Sequence, residues 1–282
     1  MRPVNAWFTP TTAIVLAAAM QGLGIGARSE RVVAPERSVV LRRSGYDVVL
    51  QPDRPDYHFG NCLVLPGPPQ ADELALWRDV WRRELGSIPG VERIVIVAES
   101  EETDPPDRLA EAAAAQGLEL EIEQVHTLGE LLEAPVPSGT SVRPVEDEEW
   151  PALVALDLEH AAELGASPDF RRWRMAEYRR LVERGAGSWW AAWRERALAG
   201  SAGIFRGDGL ARYQHVVVSV EHRRQSVAAA LVSAMAADHL EWYPGVPAVI
   251  VADRGSSAAR VYGRLGFQPV SVLLSLVGDL PA

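Results

Sequence analysis

One stretch constrains the fold of this chain more than any other: Gln214–Ala234, QHVVVSVEHRRQSVAAALVSA. His215–Val220 is an apolar, β-branched run of the kind that makes a buried strand. Glu221–Gln225 is a polar turn, and a helix opens near Ser226. A strand thus feeds a helix N-terminus, with two arginines at the junction. Such a terminus has N–H groups without partners and the positive end of a dipole, which suits a phosphate. Ser226, Ala228, Ala229 and Ala230 are small enough to let a ligand approach the backbone.

The order of elements repeats along the chain. SVVLRR, Gly45 and DVVLQ read as a hairpin, followed by a short buried strand at Asn61–Leu65 that PGPP stops. Asp72 is expected to cap a helix whose apolar positions Leu74, Trp77, Val80, Trp81 and Leu85 recur at helical spacing. A strand (Glu92–Ala98), a helix from Pro105-Pro106-Asp107 to Ala115, Gly117 and a strand (Leu118–Val125) come next. Glu133–Gly139, rich in Pro and Gly, reads as a linker. The second half has a strand at Ser141–Pro144, a helix carrying Leu153, Leu156 and Leu158, and another from Ser167 to Glu183. Strands at Ser188–Arg194, Leu198–Phe205 and Leu210–Val220 lead into the opening stretch. Strand Ala248–Ala252, helix Ser256–Leu265, Gly-Phe and a last strand complete it. Strand, helix, strand, helix, Gly, strand therefore occurs twice. This is the pattern of a tandem duplication, with Ala113 in the place of Tyr262 and no arginine-rich loop in the first copy; two unrelated α/β domains are the other reading.

Composition narrows the function. The net charge of -10 argues against nucleic acid as a general partner, and hydrophobic residues at 48% can fill a full core. The single cysteine, Cys62, rules out an internal disulfide and fits a reducing cytoplasm. Six scattered histidines show no metal-ligand spacing, so no metal site is expected. The apolar segment Ala13–Met20 is too short to span a bilayer and reads as a packed N-terminal helix near Thr9 or Thr11; a signal peptide is the other reading.

V-S-V-E-H-R-R-Q-S-V-A resembles the pyrophosphate loop of the GNAT acetyltransferase superfamily, Q/R-x-x-G-x-G/A after a strand. Arg223 takes the first position, Ser226 that of the first Gly and Ala228 that of the last. Ser256-Ser-Ala-Ala-Arg-Val-Tyr-Gly-Arg-Leu-Gly-Phe267 resembles the family's N-x-x-A-x-x-x-Y-x-x-x-G-F segment, with Gly255 where the family has Asn. The resemblance covers roughly residues 139–282. YHFGNCLVLPGPP resembles, more loosely, the N-terminal half of bacterial tandem GNAT proteins. The resemblance implies an α/β (α+β) chain of two tandem GNAT-like domains, each a mixed, mostly antiparallel twisted sheet flanked by helices. The expected division is a degenerate domain at 1–134, a linker at 135–140 and an acetyltransferase domain at 141–282.

The resemblance also implies acetyl-CoA as co-substrate and an amine as acceptor. Acetyl transfer needs a held pyrophosphate, a polarised thioester, a free amine and a protonated leaving thiolate. Arg223, Arg224, Gln225, Ser226, Val227, Ala228 and Ala229 would hold the phosphates, with Ser257 nearby. The backbone of Val216, Val217 and Val218 would line the pantetheine arm. Tyr262 would protonate the thiolate. For the base, His215 is the candidate, placed by strand alternation on the face of Tyr213, Val217 and Ser219; Glu221 and His222 are alternatives. Trp173, Tyr178, Trp189, Trp190 and Trp193, with Arg171, Arg172, Arg174, Arg179 and Arg180, either line an acceptor pocket or form core and solvated face. The expected partners are acetyl-CoA and an amine, not nucleic acid or membrane, for a cytoplasmic monomer or homodimer. The other readings are a catalytically inactive acyl-CoA-binding or scaffold protein, and an interaction protein that docks through the Trp77/Trp81 helix.

Overall fold

A computed structural model describes residues 22–102, 107–161, 163 and 165–280. The expected helix at Ala13–Met20 and its caps lie outside these residues. Helix α1 spans Ile25–Val32; the hairpin is β1 (Val39–Arg43) and β2 (Tyr46–Leu50), paired antiparallel as the alternation predicts. Then come β3 (Cys62–Val64), α2 (Leu74–Leu85), β4 (Arg93–Ser100), α3 (Asp107–Ala115) and β5 (Glu119–Leu128). The second half contributes β6 (Thr140–Pro144), α4 (Trp150–Glu159), α5 (Pro168–Glu183), β7 (Gly187–Arg194), β8 (Ala197–Gly207) and β9 (Leu210–Val218). It ends with α6 (Val227–Trp242), β10 (Ala248–Asp253), α7 (Ser257–Arg264) and β11 (Phe267–Asp279).

Among the described residues the strands make one sheet of 11, in the order β1-β2-β3-β4-β11-β5-β10-β9-β8-β7-β6, in which only β3/β4 and β9/β10 pair in parallel. The centre is exchanged: β11 of the second half lies between β4 and β5 of the first, and β5 lies between β11 and β10. The halves are thus related by an approximate two-fold axis through the β5/β11 pair, and they share a sheet instead of each closing its own.

Alternation along β5 and β11 sends apolar side chains to both faces, as a doubly covered sheet requires. On one face α2 and α3 cover a core around Leu63, Ile96 and Leu274, and α6 and α7 continue it around Tyr213, Ile250 and Phe267. On the other face lie α1, over Val95, Val125 and Leu273, and α4 and α5, over Trp189 and Phe205. Glu99 on β4 fixes α1: its carboxylate accepts from the N–H groups of Gly26 (3.0 Å) and Ala27 (2.8 Å), the unpaired donors of a helix start.

Two expectations change. Asp72 does not cap the Trp77 helix. A short 3-10 turn at Ala71–Glu73 precedes it, and Gln70 and Glu73 cap that turn reciprocally. Trp81 is fully buried and Trp77 packs edge-on against Tyr46 at 5.6 Å, so this helix presents its tryptophans to the protein's own core. That removes the motive for a docking helix.

The α7–β11 corner ties down the segment that follows β5. Gly266 has φ +95°, its carbonyl accepts from Gly129 N, and an added Cβ would lie 1.9 Å from the Glu130 carbonyl oxygen. Gly266→Ala should therefore destabilise the chain by about 3 kcal/mol or more, read as a lowered urea midpoint with unchanged slope.

Candidate active site

The cleft begins where two strands part. β9 and β10 pair only at Ala211↔Ala248 and Arg212↔Val249, while the other edge of β9 stays on β8 as far as Val218↔Gly200. From Tyr213 onward the β10-facing edge of β9 is therefore open, and Val216, Val217 and Val218 lie along it. Val216 packs toward Tyr262 and α6, and Val218 toward Val227 and Ala199.

β9 ends at Val218, earlier than the expected Val220, in a short 3-10 turn at Val220–His222. The loop to α6 is tightly wound: Arg224 (φ +60°) and Ser226 (φ +62°) both adopt the left-handed conformation. Ser226 thus adopts a backbone shape that glycine takes freely, at a cost of about 1–2 kcal/mol for a residue with a Cβ. No side chain caps α6, and its first helical bond is Ala230 N to Ser226 O. The N–H groups of Val227, Ala228 and Ala229 remain directed out of the helix start. This loop, with small residues behind it, fits a pyrophosphate. Arg223 donates to Glu163 at 2.7 Å, and Gln225 bonds the Glu221 carbonyl and Arg194. The matching helix of the first half, α2, is different. Gln70 and Glu73 cap the 3-10 turn that leads into it, and Asp72 and Glu73 place negative charge there. An anion would be repelled.

Tyr262 lies on α7, buried against Phe267 (6.2 Å) beneath the α6 face of the cleft. Burial pushes its hydroxyl up to about 12, slightly opposed by Arg212, so it keeps its proton at neutral pH. Ser256 caps α7 through Ala259 N at 3.1 Å, and Ser257 is its first residue. Gly255, in the Asn position, has φ +71°.

His215 is not on the face of Tyr213. A bulge in β9 between Gln214 and Val217 puts it at φ +56°, and its ring turns to the α4/α5 side. Tyr213 stays on the α6/α7 side against Phe267. The alternation rule fails here because the extra residue in the bulge shifts the register. His215 lies by Tyr178 and Trp189, and its Nε2 meets the Asp157 carboxylate and, at 2.7 Å, the Arg171 guanidinium. Burial lowers its pKa from the ordinary value; Asp157 opposes this, and Arg171 and Arg174 add to it. For Asp157 burial raises the pKa, but the bonds to His215 and Arg171 prevail and hold it below the usual carboxylate range. Glu221 is exposed, and His222 is occupied by the Ser219 hydroxyl at 2.7 Å.

The aromatic and arginine-rich helix α5 divides between the two expectations. Arg171, Arg174 and Tyr178 are buried, whereas Arg172 and Arg180 are exposed. Arg174 lies 4.3 Å over the Tyr178 ring and donates to Val33 O. The first-half loop braces this helix from outside: Tyr57 packs on Phe170 and Trp173, and Arg54 bonds Asp169 at 2.9 Å.

Sequence reasoning missed Asp157 and Glu123. The signal for Asp157 was a lone acid inside the apolar run LVALDLEH. Glu123 on β5 pairs in register with Asp253 at the end of β10. Burial and Glu30 push its carboxyl up to about 7 against Arg212. Among the described residues no group of three or more His, Cys, Asp or Glu could hold a metal, and no helix is long and apolar enough to cross a membrane.

A parted parallel strand pair, a bulge on its first strand and a wound loop into a helix start make up the candidate site. Residues 168–274 match the family model of the acetyltransferase (GNAT) domain. Whole-chain folds agree. A GCN5-related N-acetyltransferase from Kribbella flavida superposes with TM-score 0.60 at 19% identity, over 96% of both chains. A tandem GNAT protein from the clavulanic acid biosynthesis pathway gives 0.58 at 18%, over 94% of this chain and 93% of that one. A conserved protein of unknown function from Staphylococcus epidermidis gives 0.68 at 12%, over 87% and 95%. No curated protein matches by sequence. The match to the GNAT domain thus lies within the C-terminal half, and over its length the chain has the fold seen in tandem GNAT proteins.

Two predictions follow from the loop and from Glu123. Ser226→Gly removes the left-handed penalty at some cost in unfolded-chain entropy, for a net gain of about 0.5–1 kcal/mol in denaturant unfolding. Glu123 has a folded pKa above its unfolded value, so its contribution is full in acid and is lost as pH rises through about 7. Glu123→Gln should therefore raise the Tm at pH 8 and leave it nearly unchanged at pH 4.5.

Proposed function

We propose that this protein is an acetyl-CoA-dependent N-acetyltransferase that moves the acetyl group directly to an amine within a ternary complex. The observation that carries this reading is the open edge of β9 leading straight into an uncapped, tightly wound start of α6. In that reading residues 141–282 form the catalytic domain, residues 135–140 the linker and the first half a degenerate copy. Acetyl-CoA supplies an activated thioester when bound. The N–H groups at Val227–Ala229 and the side chains of Arg223 and Arg224 hold its pyrophosphate, with Gln225, Ser226 and Ser257 at the rim. The backbone of Val216–Val218 pairs with the pantetheine amides as a further strand would and polarises the carbonyl. Tyr262, protonated at neutral pH, gives its proton to the leaving thiolate. His215 takes the proton that the amine loses.

A non-catalytic acyl-CoA-binding or scaffold role is the second reading. It is favoured by the Arg223–Glu163 pair, which engages one of the phosphate-facing cations.

Calorimetric titration with acetyl-CoA and CoA, with ATP as control, tests the binding. Saturable binding lost in Arg223→Ala/Arg224→Ala supports the site, and no binding at millimolar ligand removes it. A thiol-release assay over a panel of amines then separates the readings: turnover abolished by Tyr262→Phe supports catalysis, and binding without turnover supports the scaffold.

A further inference from the structure

We propose that Asp157 and Arg171 are positioning residues for His215, a buried pair brought from two helices that fixes which ring nitrogen takes the proton. The inference rests on the reading of His215 as the base.

Three observations converge. First, His215 sits at φ +56° inside a strand, a conformation costly for a residue with a Cβ and held only where the surroundings enforce it. The bulge re-aims the ring out of the strand's alternation and into the α4/α5 face. Second, what the ring meets there is a fully buried ion pair. Asp157 and Arg171 have side-chain exposures of 3% and 9%, and Arg171 grips both carboxylate oxygens, Oδ2 through Nε at 2.9 Å. Asp157 lies in an otherwise apolar helix face with Leu153 and Leu156, where an acid without such partners would be strongly unfavourable. Third, both partners engage the same ring atom. Asp157 Oδ1 contacts Nε2, and Arg171 Nη2 lies 2.7 Å from Nε2 against 3.4 Å from Nδ1.

The chemistry follows from that third point. Arg171 Nη2 donates to Asp157 Oδ1, and the carboxylate is the shorter of the two contacts at Nε2, so it selects the tautomer with its hydrogen there, donating to Asp157 Oδ1. The lone pair is then on Nδ1. In the transfer step the amine nitrogen bonds the acetyl carbon, the carbon–sulfur bond breaks, and the thiolate takes a proton from Tyr262. The surplus proton of the new amide nitrogen goes to Nδ1, and the imidazolium charge faces Asp157. Arg171 holds Asp157 ionised and disfavours premature protonation of the ring. The other groups facing the ring are Arg174, one turn further along α5, and the rings of Tyr178 and Trp189.

The test has two arms on the full chain. In the first, 15N-histidine NMR of the ligand-free protein reads the tautomer and titration of His215. Wild type should show Nε2–H. Asp157→Asn should lose that tautomer preference and lower the pKa, and Arg171→Gln should raise it. Arg171→Lys keeps the charge and loses the fork, and should disturb the tautomer even where Asp157→Asn fails to fold. In the second arm, the thiol-release assay with an amine that turns over should show kcat reduced between tenfold and a hundredfold by Asp157→Asn. This is part of the roughly 10²–10⁴-fold that a general base supplies. KM for acetyl-CoA should be unchanged, and the acidic limb of the pH–rate profile should move to lower pH. If the variants leave the His215 tautomer, its titration and that limb in place, the positioning role is overturned. If they shift the His215 signals while His215→Gln keeps the full rate, the positioning stands and the reading of His215 as base fails.

Discussion

The whole structure depends on the antiparallel pairing of β5 with β11. Each strand belongs by sequence to one half and is flanked by the other half's strand, so the sheet is continuous where two separate sheets would have had exposed edges. An unpaired edge is a template for aggregation, and closing each half against the other removes two of them at once. The same pairing sets the approximate two-fold relation that puts β3/β4 and β9/β10 in equivalent places. The molecule thus holds two versions of one cleft, which can be compared directly.

The comparison turns on a few residues. Both halves have a parallel pair of only two paired rows followed by a turn into a helix. In the first, the turn is PGPPQAD, with Gln70 and Glu73 capping its 3-10 turn and Asp72 and Glu73 placing negative charge there. In the second, the turn is EHRRQS, and the donors of the helix start are left for something else. The scaffold is the same and the electrostatics are opposite. The first half still shapes the second site: its loop Arg54–Asn61 packs against α5, and α5 carries Arg171 and Tyr178 to the imidazole.

Most of the secondary structure was legible because alternation and helical spacing are local. The hairpin β1–β2, the apolar run of β4 and the stop at Gly266 could all be read from a few neighbouring residues. The strand exchange was not legible, since nothing in the sequence of β11 tells which strand it will join; VSVLLSL would suit the centre of either sheet. The site divides the same way. The loop around Arg223–Ala229 and Tyr262 stood out from motif spacing. The face of His215 was misread because a bulge inserts one residue and reverses the parity on which the reading relied. Asp157 was missed because its partners arrive from α5 and β9, and no local pattern brings them together.

The exchanged strand has a consequence for how the protein comes into being. β4 and β5 are made early, yet the place between them is filled by β11, the last strand described. While the ribosome works through the second half, the first half must wait with two strand edges unsatisfied and with Val95 and Leu120 short of their neighbours. Formation of the sheet's centre is therefore a late, long-range event that must await synthesis of β11.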